Sequence, residues 1–453
     1  MSLCNFEQEK LSQPLFFSKD SSQFSASTLS FPSNENLGKV IYFGAAFTIL
    51  LTAFTSASNL VSEIYEQFHY NNLGKVTLLV LYSVFFFSVF IVPGIIRSWS
   101  YKNGVFVGSL GYIFTMLAGA LTTACASNSD HLWCTEKYIY IVNIVCAGVN
   151  GLSAPVLWLS ASRYVTGCTN VTNKGKYMGI FTSFVAAASV LGSIMAAFVT
   201  KLFGTFHYYL VCSGLVGLAI VLFMFAPEVS KYTEGKGIAE ESVLDKAGKT
   251  VKLAFSKGMR SFLMFIFFVG VMQASNSAFE YKIIVSKVSD ASADQKTYAT
   301  SLVFIVQGVL GILASYSTGK LADITRRKFV LSLFALTGIL AIFISYISYQ
   351  NDNFNLTYVM GMGWGVAYNS MYTLTNIVMA KDFDGKLEAY AVNQLFMNLG
   401  TIFGLVLCIY LDDYIQVFLY VMLGLLVLGQ IGVVFFKQQE DKVIPEKMIG
   451  AEV

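Results

Sequence analysis

Apolar residues in this chain do not alternate with polar ones; they run in long stretches of about 20 residues, the length an α-helix needs to cross the ~30 Å hydrocarbon core of a bilayer. Twelve such stretches lie near 40–62, 75–96, 104–126, 138–162, 177–199, 209–226, 261–281, 298–319, 329–349, 357–380, 389–411 and 415–436. The pattern predicts an all-α polytopic membrane protein with twelve transmembrane helices. Small residues recur at helical spacing inside the stretches, as in Ala188, Gly192 and Ala196 or Gly400 and Gly404. Such stripes let helix backbones approach one another in lipid.

Composition agrees. Of 453 residues 55% are hydrophobic and only 13% charged, about half the ~25% charge of soluble domains. Thirty Lys and Arg against 27 Asp and Glu leave a net charge of +3, with no basic footprint for nucleic acid. The predicted partner is the lipid bilayer, not nucleic acid.

Lys and Arg in short loops stay on the cytoplasmic side. With both termini and the even-numbered loops inside, that side collects 24 of the 30 basic residues. Both termini are therefore expected to be cytoplasmic. Residues 1–38 are Ser-rich and read as a disordered cytoplasmic tail, with a second tail at 437–453. The longest connection, 227–260, separates six helices in 39–226 from six in 261–436. Within it Leu244, Ala247, Val251 and Phe255 stand at helical spacing in a basic segment. Two readings stay open there: an amphipathic helix on the inner leaflet, or a solvated linker.

An internal repeat supports the division into two pseudo-symmetric halves. Ala57-Ser58-Asn59 followed by Glu63 ends the first helix, and Ala274-Ser275-Asn276 followed by Glu280 ends the seventh. After the second helix come Pro93, Gly94 and a short basic loop with Ser98. After the eighth come Gly319, Lys320, Leu321, Ala322 and Asp323, then Arg326, Arg327 and Lys328. The second loop resembles the G-x-L-a-D-r-x-G-r-k signature of the major facilitator superfamily, with Ile324 and Arg326 departing from it. The resemblance implies the major facilitator fold and a cytoplasmic latch built from Gly319, Asp323, Arg326 and Arg327. Ser98 stands where the first-half Asp would be, so the first copy of the latch reads as decayed.

The twelve cores carry no coupling charge: the nearest acids, Glu63 and Glu280, are expected at the outer ends of helices one and seven, as interfacial carboxylates at the cavity mouth. No proton relay of buried carboxylates follows from this pattern. In the superfamily, helices one, four, seven and ten line the central cavity. Here they carry Asn59, Asn143 and Asn150, Gln273 and Asn276, and Asn369 and Asn376. These seven amides are the candidate cavity residues, each weighed against a purely structural role in interhelical hydrogen bonding.

Seven cysteines are scattered without metal-ligand spacing, so neither a metal nor any cofactor is expected. Cys125 and Cys134, nine apart around a predicted outer loop, would pair only if that side is oxidising; two free thiols are the simpler expectation. No Ser-His-Asp set, HExxH, P-loop or GxSxG is present, and an enzyme is not expected.

Two further stretches, Phe54 to Leu60 with Gly108-Ser109-Leu110-Gly111-Tyr112, and Leu157-Trp158 with Arg163-Tyr164-Val165-Thr166 and Asn173-Lys174-Gly175, resemble the Unc-ninety-three-like family within the superfamily. In helix ten Tyr368-Asn369 keeps that family's aromatic-Asn pair, while Gly365 occupies its acidic place. The resemblance implies an accessory role, regulating or escorting a membrane partner such as an ion channel or receptor. The alternative is a transporter or facilitator of a small neutral or polar solute. Plasma membrane is the default location, with an internal organelle membrane open.

Overall fold

The computed structural model describes residues 36–70, 72–96, 99–127, 132–170, 172–229, 243–291, 293–411 and 414–438. Residues 1–35 of the N-terminal tail, Arg97 and Ser98, 230–242 of the 227–260 connection and 439–453 of the C-terminal tail lie outside them, while Leu37 and Gly38, expected in the tail, open α1. The helices are α1 (Leu37–Gln67), α2 (Leu73–Ser88), α3 (Val92–Ile96), α4 (Tyr101–Ser127), α5 (Glu136–Gly167), α6 (Lys174–Met224), α7 (Val243–Ala254) and α8 (Lys257–Arg260). They continue with α9 (Leu263–Ala278), α10 (Glu280–Ser286), α11 (Ala293–Ile324), α12 (Arg327–Gln350), α13 (Asn355–Asp382), α14 (Leu387–Tyr410) and α15 (Ile415–Phe435).

Nine stretches among the described residues are long and apolar enough to cross a membrane. One of them, the 51-residue α6, is two crossings in series, broken at Gly204 with φ 80° and ψ 170°. That conformation suits only a residue without a Cβ. With the shorter apolar α2 and the more polar α13, the twelve predicted spans are all present. Helix α13 is less apolar because Ser370, Thr373, Thr375 and Asn376 are buried on it, where protein instead of lipid surrounds them.

Helix pairing has the predicted two-fold repeat. The first span packs on the fifth (α1 on α6) as the seventh does on the eleventh (α9 on α14), and the second packs on the fourth (α2 on α5) as the eighth does on the tenth (α11 on α13). The halves meet through two equivalent seams, α6 against α11 and α2 against α14. At the first seam Gly179 and Gly319 face each other so closely that a Cβ on either would stand 2.8 Å from the other's Cα.

The first half has an aromatic interior. Phe43 stacks on Tyr164 with centroids 4.2 Å apart, and Phe47, Phe181 and Phe223 close around it. Large apolar side chains such as Phe87, Phe198, Leu202 and Phe225 are exposed on the outside of the bundle. A membrane protein presents such residues to hydrocarbon, where their exposure carries no penalty.

Two expectations change. Cys125 and Cys134 are not free: their sulfurs are bonded, between the end of α4 and the short turn Leu132–Cys134. The loop brings the two Cα atoms to 5.0 Å, within the reach of a disulfide, and spacing alone could not reveal this. In the connection, α7 is indeed a helix, but the stripe that docks on the bundle is Lys246, Thr250 and Ala254, all buried. Val251 and Phe255, from the apolar stripe, remain exposed beside Lys252 and Lys257.

Candidate functional site

Between the halves lies a cavity of about 140 Å³, close to the ~150 Å³ of an engineered protein cavity that admits benzene. Among the described residues its lining holds no charged side chain. Four predicted amides face it: Asn59 from α1, Gln273 and Asn276 from α9, and Asn369 from α13. The repeat-related pair Asn59 and Asn276 therefore lines one space from opposite halves. Tyr82, Tyr112, Trp158, Tyr368 and Tyr372 supply aromatic walls. Trp158 meets Tyr372 edge-on across the halves at 6.4 Å, and Gln273 Nε2 donates to Tyr82 Oη at 2.9 Å.

The other three amides lie elsewhere. Asn143 is spent inside its half: its amide donates to Thr122 Oγ1 and the Ile139 carbonyl, and its oxygen accepts from Tyr65 Oη. That joins the first, third and fourth spans, the interhelical role set against the cavity role from the start. Asn150 donates to Thr115 Oγ1 at 3.0 Å, and Asn376 to the Tyr372 carbonyl at 2.9 Å; both are buried away from the cavity lining. Seven-residue spacing put each pair on one helix face, but Asn143 and Asn150 both meet the third span, and Asn376 bonds its own helix, so Asn369 is the one of these four that lines the cavity.

Three further cavity amides come from helices not considered: Gln307 on α11, and Gln394 and Asn398 on α14. Their signal was present, since Gln394 and Asn398 stand one turn apart in an otherwise apolar run. Gly365, in place of an acid, has a spatial reason: a Cβ there would run into the Gln307 carbonyl oxygen.

Glu280 departs most from expectation. It is not an interfacial carboxylate but fully buried, 0% exposed, because the seventh span runs on to Ser286. The helix breaks at Phe279, whose ring stacks on Phe418 at 4.2 Å. The Glu63 side chain lies outside the described ones.

The latch residues divide into separate tasks. Asp323, at the end of α11, accepts from the Gly175 and Lys176 backbone N–H groups at 2.9 and 2.7 Å and pairs with Lys381 at 2.7 Å. Its carboxylate thus caps the N-terminus of α6, where unpaired N–H groups and the helix dipole favour an anion, and it bridges the halves. Gly319 provides the close crossing one turn earlier. Arg327 was expected in the same latch, but it is buried and grips Asp382 of its own half through Nε and Nη2 at 2.8 and 2.9 Å. Arg326 is exposed at the start of α12.

More cross-half contacts gather at this end. Arg163 donates across the halves to the Gly385 carbonyl and within its own half to Tyr101 Oη, Thr166 Oγ1 and Tyr390 Oη lie 2.7 Å apart, and Lys174 Nζ donates to the Ala380 carbonyl at 3.0 Å. At the second seam α7 packs on both α3 and α14, and Lys246 Nζ holds Glu388 Oε1 at 2.9 Å. The connecting helix therefore occupies the seam where the first-half latch was expected.

The chain matches the family model of the Major Facilitator Superfamily over residues 42–405. It is 24% identical over 166 residues to UNC93-like protein MFSD11 of Xenopus tropicalis, covering 36% of this chain and 34% of that protein. To UNC93-like protein MFSD11 of Xenopus laevis it is 22% identical over 245 residues, 51% of each. The chain thus spans about a third to a half of the length of the curated relatives it matches. In fold it is similar to the crystal structure of the major facilitator transporter FucP in the outward conformation. The TM-score is 0.60 at 14% identity, over 88% of this chain and 99% of that one.

Proposed function

The chain belongs to the major facilitator superfamily, and on that premise we propose that it carries a small uncharged polar solute across a membrane through the cavity between its halves. The observation that carries this reading is the chemistry of the lining: amides and aromatic faces from both halves, with no charge. Amides offer donors and acceptors together, tyrosine and tryptophan add flat apolar faces with polar edges, and a solute with hydroxyl or amide groups on a compact frame satisfies both. An ionic solute would leave its charge unpaired there.

Transport of this kind alternates the opening of the cavity between the two sides of the membrane. By the distribution of Lys and Arg, both termini and the end carrying Asp323, Arg163 and Lys246 face the cytoplasm. The contacts at that end hold the cytoplasmic gate shut, and the exposed stripe of α7 with its lysines rests on the inner leaflet. The test is uptake by sealed proteoliposomes of a labelled panel of neutral sugars, polyols, nucleosides and amides, with carboxylates and amines as controls. Uptake confined to neutral solutes, and lost in Asn369→Leu and Trp158→Ala, is the expected result. Uptake of ions alone, or of nothing, rejects it.

The similarity to UNC93-like proteins supports a second reading, an accessory protein holding a membrane partner such as a channel or receptor. A gentle-detergent pull-down separates the two, because a partner at fixed stoichiometry with no solute flux favours the accessory role.

A further inference from the structure

The helix that crosses the second seam has two distinct sides. Toward the bundle α7 turns Lys246, Thr250 and Ala254, all buried. Val251 follows Thr250 directly, and one residue turns a helix by about 100°, so Val251 points along an adjacent side. The Phe255 N–H donates to the Val251 carbonyl at 3.2 Å, which sets Phe255 one turn further along that side. Their exposures are 40% and 69%. Lys252 comes a further step round, away from the bundle, and Lys257 and Arg260 follow in the chain, all three exposed. No ion pair among the described residues involves Lys252, Lys257 or Arg260.

The lipid-facing surface of the bundle leads to this place. Phe87, Ile91 and Ile95 are exposed at four-residue intervals down the second span, and Ile95 lies in α3, on which α7 packs. Gly94 of α3 stands so near the start of α7 that a Cβ on it would lie 2.9 Å from Val243 Cγ2. The apolar side of α7 thus continues the surface that the spans present to hydrocarbon. Its charge fits the cytoplasmic leaflet: residues 243–260 hold five basic side chains and one acid, Asp245, and the anionic lipids of that leaflet attract such a segment. A bilayer surface with anionic headgroups meets both needs at once, taking Val251 and Phe255 into its acyl boundary and the lysines at its phosphates.

We infer that α7 is a strap fastened on one side to the bundle and on the adjacent side to anionic lipid of the cytoplasmic leaflet, and that this lipid helps hold the gate shut. A helix of 12 residues is marginal by itself in water. Each surface therefore orders it for the other. Lipid that folds the helix lowers the cost of docking it, and docking strengthens the lipid contact by the same factor. Docked, α7 joins α3 of the first half to Glu388 of the second, a link that must break before that end opens. The regulation rests on reading that end as the cytoplasmic gate, and it operates with or without a solute.

The experiment uses the full chain in nanodiscs of phosphatidylcholine alone and of an equal mixture with phosphatidylserine. The first readout is a spin label at Val251→Cys, whose collisions with oxygen and with a water-soluble nickel chelate report its depth. The label is expected to be shielded from nickel in the mixture and less so in phosphatidylcholine. The second readout is maleimide labelling of Cys168, which is buried beside Gly167, itself against Val229 of the same connection. Labelling should slow in the mixture by about fivefold for each lysine at the anionic surface, and Lys252→Glu with Lys257→Glu should remove the difference between the two membranes. Phosphatidylglycerol should act as phosphatidylserine does, and high salt should cancel the effect. A label open to nickel in both membranes overturns the lipid contact in favour of a soluble partner. A Cys168 rate indifferent to lipid charge overturns the regulation. Inorganic phosphate that slows labelling equally in phosphatidylcholine discs overturns the membrane as the source of the anion. Should the double variant fail to fold, the salt series on the natural chain decides. A solute panel in which nothing is transported rejects the transport reading and leaves both readouts standing.

Discussion

Asp323 Oδ1 lies 2.9 Å from the Gly175 nitrogen, so the last turn of one half caps the first turn of a helix in the other. Because hydrogen bonds to a charged acceptor contribute about 1.5–3 kcal/mol, this one carboxylate, with Lys381 beside it, is a principal brake on opening that end of the bundle. Asp323→Asn keeps the shape and removes the charge. It is expected to raise the accessibility of a reporter cysteine placed at the seam and to abolish net solute flux. Natural flux in this variant would count against the latch.

The crossing of Gly179 and Gly319 leaves no space for a Cβ. Overpacking a tight contact typically costs about 1–3 kcal/mol, and backbone cannot shift as a flexible side chain can. Gly319→Ala should lower the melting temperature in detergent, and Gly319→Leu should prevent recovery of monodisperse protein. Equal melting temperatures for Gly319→Ala and the natural chain would show that the seam opens without cost.

Arg327 and Asp382 form a pair with side-chain exposures of 0% and 2%. Removing one partner from a buried pair strands the other charge, which costs about 3–5 kcal/mol. Asp382→Ala should therefore be markedly destabilised, and Arg327→Met combined with Asp382→Leu should recover much of the loss. A double variant no better than the single ones would mean the pair does more than compensate itself.

Lys246 and Glu388 hold the connecting helix on the second seam. Reversal in Lys246→Glu puts like charges together at a largely buried site and should release α7, seen as faster proteolysis of the connection. Adding Glu388→Lys restores opposite charges and should restore protection. Cleavage at the same rate in all three proteins would remove α7 from the gate.

Thiol chemistry separates the two ends. Peptide mapping without reduction should recover Cys125 linked to Cys134. Cys168 should resist maleimide at neutral pH, because burial pushes its thiol up to about 12 and the protonated form does not react. Fast labelling of Cys168 would mean that end opens readily.

By itself, the sequence determined whatever follows from runs and repeats. Hydrocarbon solvates no backbone, so each long apolar run had to be a helix; the number of spans, the repeated Asn59 and Asn276, and the glycine before Asp323 were legible for that reason. Tertiary structure alone decided which neighbour each polar group meets. Asn59 and Asn276 face a shared space while Asn143 is consumed by Tyr65 and Thr122. Arg327 turns to Asp382 while Asp323 crosses to Gly175, and α7 docks by the stripe of Lys246 instead of the stripe of Val251. Glu280 could be placed only by knowing that its span continues to Ser286. A helix fixes the direction of a side chain to within a turn, but whether that direction ends in lipid, in a cavity or against an unpaired amide depends on helices distant in sequence, whose packing is set by the whole bundle at once.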